Sequence, residues 1–372
     1  MSVLLLSLAL GLGAAPPQAP GQPLVLQADG VLTADGTLLE DASVLLREDL
    51  VLAVGTSVPV PRNARTRRVH GILAPGLVDA FSQAGLADAA VEPARRRTPE
   101  LRAADSLDPD AELWEQALAA GVGAVHLTPR PARLFSGWTA LARPGAGGPV
   151  LLRPRARPVV SLGSLAFDRV LGPTALAGLL DDFEREAGAL AAWRETGVLV
   201  VVDSAEAIQA ALARAREQDV ELAFVCLGDW PGYAGALPAG SRVCLPVLEP
   251  GAWPARQIEG WRLLHGRGLR IAFGTFGSRA WAPGALRDTA LAFSRATGDP
   301  AAALAAVTTE AAAFAGSPRA GAIAPGRRAD LVLWTAHPLD ASARVQAVLS
   351  GGRSVPVAPP PADLLEMPGE PE

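Results

Sequence analysis

Between residues 72 and 316, short apolar runs alternate with amphipathic stretches of helical period, and few folds accept such a chain. Strands are expected at 72–79, 122–128, 158–163, 198–203, 221–227, 242–247 and 269–275, and helices at 111–120, 174–195, 205–218, 254–267, 284–297 and 300–315. The run VLVVVD at 198–203 is apolar at every position before its aspartate. A half-exposed strand would alternate, so this one reads as a parallel strand covered on both faces. Ser204 follows as a helix N-cap, with Glu206 in the first turn. Repeats of this kind, over the roughly 250 residues a TIM barrel needs, predict an α/β fold built on a TIM-like (β/α)8 barrel. A doubly wound sheet is the alternative, but the glycine-rich dinucleotide fingerprint it would carry is missing.

The two flanks have a different texture. Residues 21–70 hold short β-rich runs separated by Asp29-Gly30 and Asp35-Gly36, and residues 317–357 return to the same pattern, with Gly351-Gly352 as a hairpin turn. Together they predict a composite β-sandwich made from both ends, with the barrel occupying 71–316. Residues 87–110, rich in Arg, Pro and Asp, read as a long loop over one mouth, and 358–372 as a disordered Pro/Glu tail. Residues 1–20 contain an apolar run from Val3 to Ala15 that is too short to span a bilayer comfortably. It has the length of a signal-peptide core, although no arginine precedes it. Export to a periplasmic or extracellular site is expected, a cytoplasmic chain being the alternative, and no membrane association is expected beyond this segment.

Composition narrows the chemistry. All 33 cationic side chains are arginine, there are four histidines, and the formal net charge is −5. A nucleic-acid partner is not expected, because its electrostatic footprint would be basic. Without lysine there is no Schiff base, no P-loop ammonium and no carboxylated lysine between two metals. Cys226 and Cys244 match neither a zinc spacing nor CxxC. Each sits in an apolar run and reads as a small buried hydrophobe, with a disulfide left open.

GILAPGLVDAFSQAGL at 71–86 resembles the first barrel strand of the amidohydrolase superfamily, in particular its exported imidazolonepropionase-like branch. Pro75, Gly76, Leu77, Val78 and Asp79 match that family's Pro-Gly-hydrophobic-hydrophobic-Asp pattern. ASVLLREDLVLAVG before it is similar to the family's N-terminal β-sandwich, and GVGAVHLTPRPARLFSGWTAL at 121–141 to its second repeat. AAALAAVTTEAAAFAGSPRAGAIAPGRRADLVLW resembles its last barrel helix and return to the sandwich, with Pro325, Gly326, Ala329 and Asp330 in the PG-x-x-AD turn.

The resemblance implies a zinc-dependent hydrolase, and at the metal positions the chain departs from it. The family's His-x-His is replaced by Phe81-Ser82-Gln83, the histidine at the end of the fifth strand by Asp203, and the aspartate of Gly-Thr-Asp on the eighth by Phe276. The sixth strand, AFVCLGDW, has no histidine. A catalytic zinc takes three protein ligands. Of the four histidines, His70 precedes the first barrel strand, His265 lies on a helix, His337 lies in the sandwich, and only His126 falls near a strand's C-terminal end, where barrel sites form. No cofactor is therefore expected.

Some residues retain a functional reading beside a structural one. His126, Asp203 and Asp229 are acid/base candidates. Asp79, Arg130, Ser204, Trp230 and Glu249 are candidates for a pocket lining. Asp79 also reads as a partner for buried donors, Ser204 as a helix cap, Trp230 and Trp138 as core, and Arg130 and Arg133 as solvated loop. No G-x-S-x-G elbow is present. The leading expectation is a pseudoenzyme of amidohydrolase fold that binds a small-molecule ligand or acts as a scaffold. The alternatives are a C–N hydrolase with an atypical, metal-poor site, and a non-catalytic subunit that forms a heterodimer with an active homologue; a homodimer is the other expected assembly.

Overall fold

The computed structural model describes residues 21–87, 95, 97–145, 147–166, 173–248, 255–276 and 284–355. The expectations for 1–20, for 358–372 and for Glu249 lie outside these residues.

The chain opens with β1 (Leu24–Leu32), β2 (Leu38–Arg47), β3 (Leu50–Gly55) and β4 (Arg65–Pro75), then passes into β5 (Leu77–Ser82). Next come α1 (Leu113–Ala119), β6 (Val122–Leu127), β7 (Phe135–Trp138), β8 (Ala140–Arg143), β9 (Val150–Arg153) and β10 (Pro158–Ser161). The helical layer is α2 (Pro173–Glu186), α3 (Ala205–Gln218), α4 (Trp230–Tyr233) and α5 (Ala255–Gly266), interleaved with β11 (Val198–Val202), β12 (Leu222–Cys226), β13 (Arg242–Pro246) and β14 (Arg270–Gly274). It ends with α6 (Ala285–Thr297), α7 (Pro300–Ala306) and α8 (Thr309–Phe314), before β15 (Leu331–Trp334), β16 (Val345–Ser350) and β17 (Arg353–Val355). No helix among the described residues is long and apolar enough to cross a membrane.

Both ends of the chain meet in one sheet, ordered β17-β16-β15-β4-β1-β2-β3. All seven strands pair in a single ladder, and the two-sheet pairing expected of a sandwich is not seen among the described residues. The join is β4, whose first half pairs with β1 in parallel while Ile72–Pro75 pairs with β15 antiparallel. The sheet thus extends past the expected boundary at residue 70.

The middle of the chain gives two sheets, β5-β6-β8-β9 and β14-β13-β12-β11-β10-β7. Strands β10 to β14 run parallel, and their register fits a barrel wall. The expectation of a closed (β/α)8 barrel is corrected in two places. Between β6 and β10 the described chain has no helix; β7, β8 and β9 run there instead, antiparallel to their neighbours. β7 and β8 are one length of chain split at Thr139, so this segment links the two sheets without a continuous ladder. At the other seam β14 lies against β5, and the Phe276 N–H donates to the Phe81 carbonyl at 2.9 Å, but the two strands form no ladder.

Packing explains the unbroken apolar strands. On β11, Val198, Val200 and Val202 face an outer cluster with Phe224, Trp230, Trp261 and Phe293 beneath the helices. Leu199 and Val201 face an inner cluster with Val78, Phe81, Val159, Val225 and Ala272. Each face of the strand therefore has its own apolar partner. The same parity sends Cys226 outward and Cys244 inward, and both are free and buried. Burial pushes the Cys226 thiol up to about 12 and Cys244 well above its usual range, so both behave as apolar side chains.

Candidate functional site

The C-terminal ends of the parallel strands are where a barrel of this class builds its site. Here the inner cluster reaches that end. Phe81 is 1% exposed, and its ring packs against Phe276 with centroids 4.7 Å apart and planes tilted by 31°. Phe276 has φ = +56°, a left-handed conformation that is rare for a bulky residue. Its amide is fixed by the Phe81 carbonyl, so the backbone holds this ring over Phe81. Gly274 makes the approach feasible, since any Cβ there would meet the Phe81 backbone.

Asp79, two residues before Phe81, is fully buried. Its Oδ1 accepts from the amides of Thr275 (3.0 Å) and Phe81 (3.3 Å), and its Oδ2 accepts from the Thr275 hydroxyl (2.5 Å). Ser82 Oγ sits 3.0 Å from Thr275 Oγ1. Burial pushes the Asp79 carboxyl up to about 6, against these hydrogen bonds, which favour the anion. The carboxylate acts as a clasp between β5 and the end of β14.

His126 is also fully buried. Its Nδ1 lies 2.8 Å from the Ala80 carbonyl and its Nε2 2.8 Å from Thr139 Oγ1. A carbonyl only accepts, so Nδ1 carries the proton and Nε2 receives the Thr139 hydroxyl. The Arg157 amide donates to that same hydroxyl oxygen at 2.9 Å. Burial, opposed by the Ala80 bond and reinforced by Arg157 and Arg153, lowers the imidazole to about 3. The ring is thus fully buried, with a partner at each nitrogen.

The other candidates disperse. Asp203 is half-buried and accepts from the Ser164 amide at 2.6 Å, closing the loop after β10. Ser204 accepts from Ala207 N–H at 3.2 Å and caps α3, so the pocket reading is replaced by a cap. Asp229 is solvent-exposed and pairs with Arg256 at 2.7 Å. Trp230 is 1% exposed in the outer core, against α5 where Gly260 leaves room for its ring. It is core, not pocket lining. Arg130 is exposed, and Gln83 is half-buried with its carbonyl closing a turn to Leu86 N–H. Arg133 bonds the carbonyls of Arg95 and Ala132, and Trp138 lies under Arg155. His70, His265 and His337 face Asp29, Asp299 and the Leu339 amide respectively. No hydrogen bond or ion pair among the described residues joins His126, Asp203 and Asp229 to one another.

This arrangement superposes on an amidohydrolase from Thermotoga maritima MSB8 with a TM-score of 0.74, at 20% identity over 90% of this chain and 100% of that one. The fold is that of the amidohydrolases. The model of the amidohydrolase family matches residues 254–355, from α5 to β17. Two further solved structures are more distant. A prolidase complexed with N-methylphosphonate-L-proline gives a TM-score of 0.57 at 18% identity, covering 91% of this chain and 100% of that one. Ochratoxinase from A. niger gives 0.53 at 16%, covering 90% and 96%. No curated protein matches the chain.

The amidohydrolase resemblance implies zinc, and the residues at its metal positions do not fit that ion. Phenyl rings at 81 and 276 have no donor atom, Gln83 offers only an amide, and the single carboxylate at Asp203 does not make the three-ligand set of a catalytic zinc. Among the described residues no group of three or more His, Cys, Asp or Glu side chains is placed to hold a metal. Thr275, Ser82 and Thr139, which complete the buried polar contacts, were not singled out by sequence. The Gly-Thr pair at 274–275 and the Phe81-Ser82-Gln83 run marked that region without assigning these hydroxyls a role.

Proposed function

We propose that this chain is an amidohydrolase-fold protein that has lost metal-dependent hydrolysis and serves as a non-catalytic scaffold for a protein partner, exported in keeping with its N-terminal segment. The observation that carries the reading is the Phe81–Phe276 stack: the two positions at which the resemblance expects metal ligands carry phenyl rings that pack on each other. Water activation needs an ion or base with access to solvent, and neither ring provides one. The buried groups nearby support the same reading: Asp79 is engaged by three donor groups and His126 by partners at both nitrogens. A scaffold role is favoured over ligand binding because the rings pack against each other rather than lining an open space.

The test is turnover. The purified full chain is assayed against amide, lactam and dipeptide substrates, with and without added zinc or manganese. The reading expects rates equal to buffer in every arm. Turnover that is lost in His126→Ala or Asp203→Ala would overturn it in favour of an atypical hydrolase.

A further inference from the structure

The two sheets from the middle of the chain meet along two lines, and the lines differ. On one, the chain itself runs across, from β7 through Thr139 into β8. On the other, β5 and β14 lie side by side with no ladder between them, and 196 residues of chain separate Asp79 from Thr275. The start of β5 is pinned on this side, where the Val78 N–H donates to the Val307 carbonyl at 2.7 Å. Beyond it the seam is held by few groups. The Thr275 amide and hydroxyl donate to Asp79 at 3.0 and 2.5 Å, the Ser82 and Thr275 hydroxyls lie 3.0 Å apart, and the Phe276 N–H donates to the Phe81 carbonyl at 2.9 Å.

All but the last of these contacts involve Thr275. A ladder parts only by breaking a run of backbone bonds, whereas this seam turns on one threonine. Parting it also returns the buried Asp79 carboxylate to water, which offsets some of the bonds lost. The flanking ladders are not disturbed: β5 stays paired with β6, and β14 with β13.

The seam covers a thiol. Cys244 lies on β13 opposite Ala272 of β14, fully buried in the inner cluster. Burial first, and then the charge of Asp79, hold its thiol well above the usual range, so the closed seam leaves it unreactive. Cys226, on the neighbouring β12, faces the outer cluster beneath the helices. The two thiols therefore report on opposite faces of one sheet.

We propose that the β5–β14 seam opens as a unit within the folded protein, parting Asp79 and Phe81 from Thr275 and Phe276 and uncovering Cys244 while the parallel strands β10 to β14 stay together. The inference goes beyond the loss of hydrolysis and does not depend on it.

Thiol labelling of the full chain with dithiodipyridine in native buffer, read for each cysteine by mass spectrometry at low conversion, tests it. Cys244 is expected to label about tenfold faster than Cys226 or more, at a rate that urea below the unfolding transition scarcely changes, while Cys226 follows global unfolding. Thr275→Val should speed Cys244 labelling about fivefold or more, as expected when a buried acceptor loses its donor, and Thr275→Ser, which keeps the hydroxyl, should label as the wild type does. Ile208→Val, on α3 in the outer cluster, should speed Cys226 labelling severalfold and leave Cys244 unchanged, because that cluster persists when the seam opens. Cys244 labelling no faster than Cys226, an Ile208→Val response shared by both thiols, or a Cys244 rate unmoved by Thr275→Val would overturn the proposal.

Discussion

A Cβ built on Gly274 would lie 2.8 Å from both the amide nitrogen and the carbonyl oxygen of Phe81. The end of β14 therefore reaches β5 only because residue 274 has no side chain. This approach carries the Asp79 clasp and the Phe276 amide bond with it. Gly274→Ala should cost about 1–3 kcal/mol, the usual range for overpacking a filled interior, read from urea denaturation of the two proteins.

The stacked rings should couple energetically. Phe81→Ala empties a buried site and should cost about 3–5 kcal/mol. Phe276→Ala should cost less, because its ring is only half-buried and its left-handed backbone is relieved little by alanine. A double-mutant cycle should give a coupling of about 0.5–1.5 kcal/mol, the range for aromatic pairs. Additive losses would mean that the rings are neighbours without a mutual contribution.

Asp79 makes stability depend on pH in a direction opposite to that of an ion-paired carboxylate. Its folded value of about 6 lies above the ordinary 3.8. Between those values the folded chain keeps a proton that the unfolded chain has released. Stability from this residue is therefore greatest below pH 3.8, declines as pH rises through the window, and is fully lost above pH 6. The shift corresponds to roughly 3 kcal/mol. Asp79→Asn keeps an acceptor for the two amides and removes the titration. The stability difference between variant and wild type should shift by about that amount toward the variant between pH 4 and pH 7.5. Asp330, which burial also raises to about 6, is common to both proteins and cancels.

His126 should stay neutral across the physiological range. Its folded value of about 3 lies below the ordinary 6.5. Here the unfolded chain takes up the proton first, so this residue's contribution is present above pH 6.5 and is lost as pH falls toward 3. Its ring resonances in NMR should not titrate between pH 5 and 8, and should show the proton on Nδ1. His126→Ala should cost about 2–4 kcal/mol by orphaning buried acceptor and donor groups and leaving a cavity.

Much of the parallel unit is legible in the sequence, because each strand carries its own apolar signal. β11 is readable from five consecutive apolar residues, and α3 from Ser204 as its cap. The segment between β6 and β10 is harder. In LFSGWTALAR the strands β7 and β8 are four residues each, broken at Thr139, and no local period separates them from a loop. The single seven-stranded sheet depends on β4 changing partners partway along, which is a tertiary choice. At the site, the identities of Phe81 and Phe276 are visible in the motif, but their stacking rests on the φ of Phe276 and the bare Cα of Gly274, neither of which a family pattern specifies. Asp203, Asp229, Trp230 and Ser204 lie near strand ends in sequence, and their partners in the fold divide them among a loop, solvent, the outer core and a helix cap.

The central claim is that aromatic rings take the place of a metal centre at the end of this fold. Elemental analysis of the full chain, purified without chelator and dialysed against zinc-containing and then metal-free buffer, tests it most directly. The account predicts no stoichiometric zinc, manganese or iron in the retained protein, and no change in Tm on adding zinc. One zinc ion per chain that survives dialysis and raises Tm, and that is lost in Asp79→Asn or His126→Ala, would contradict it.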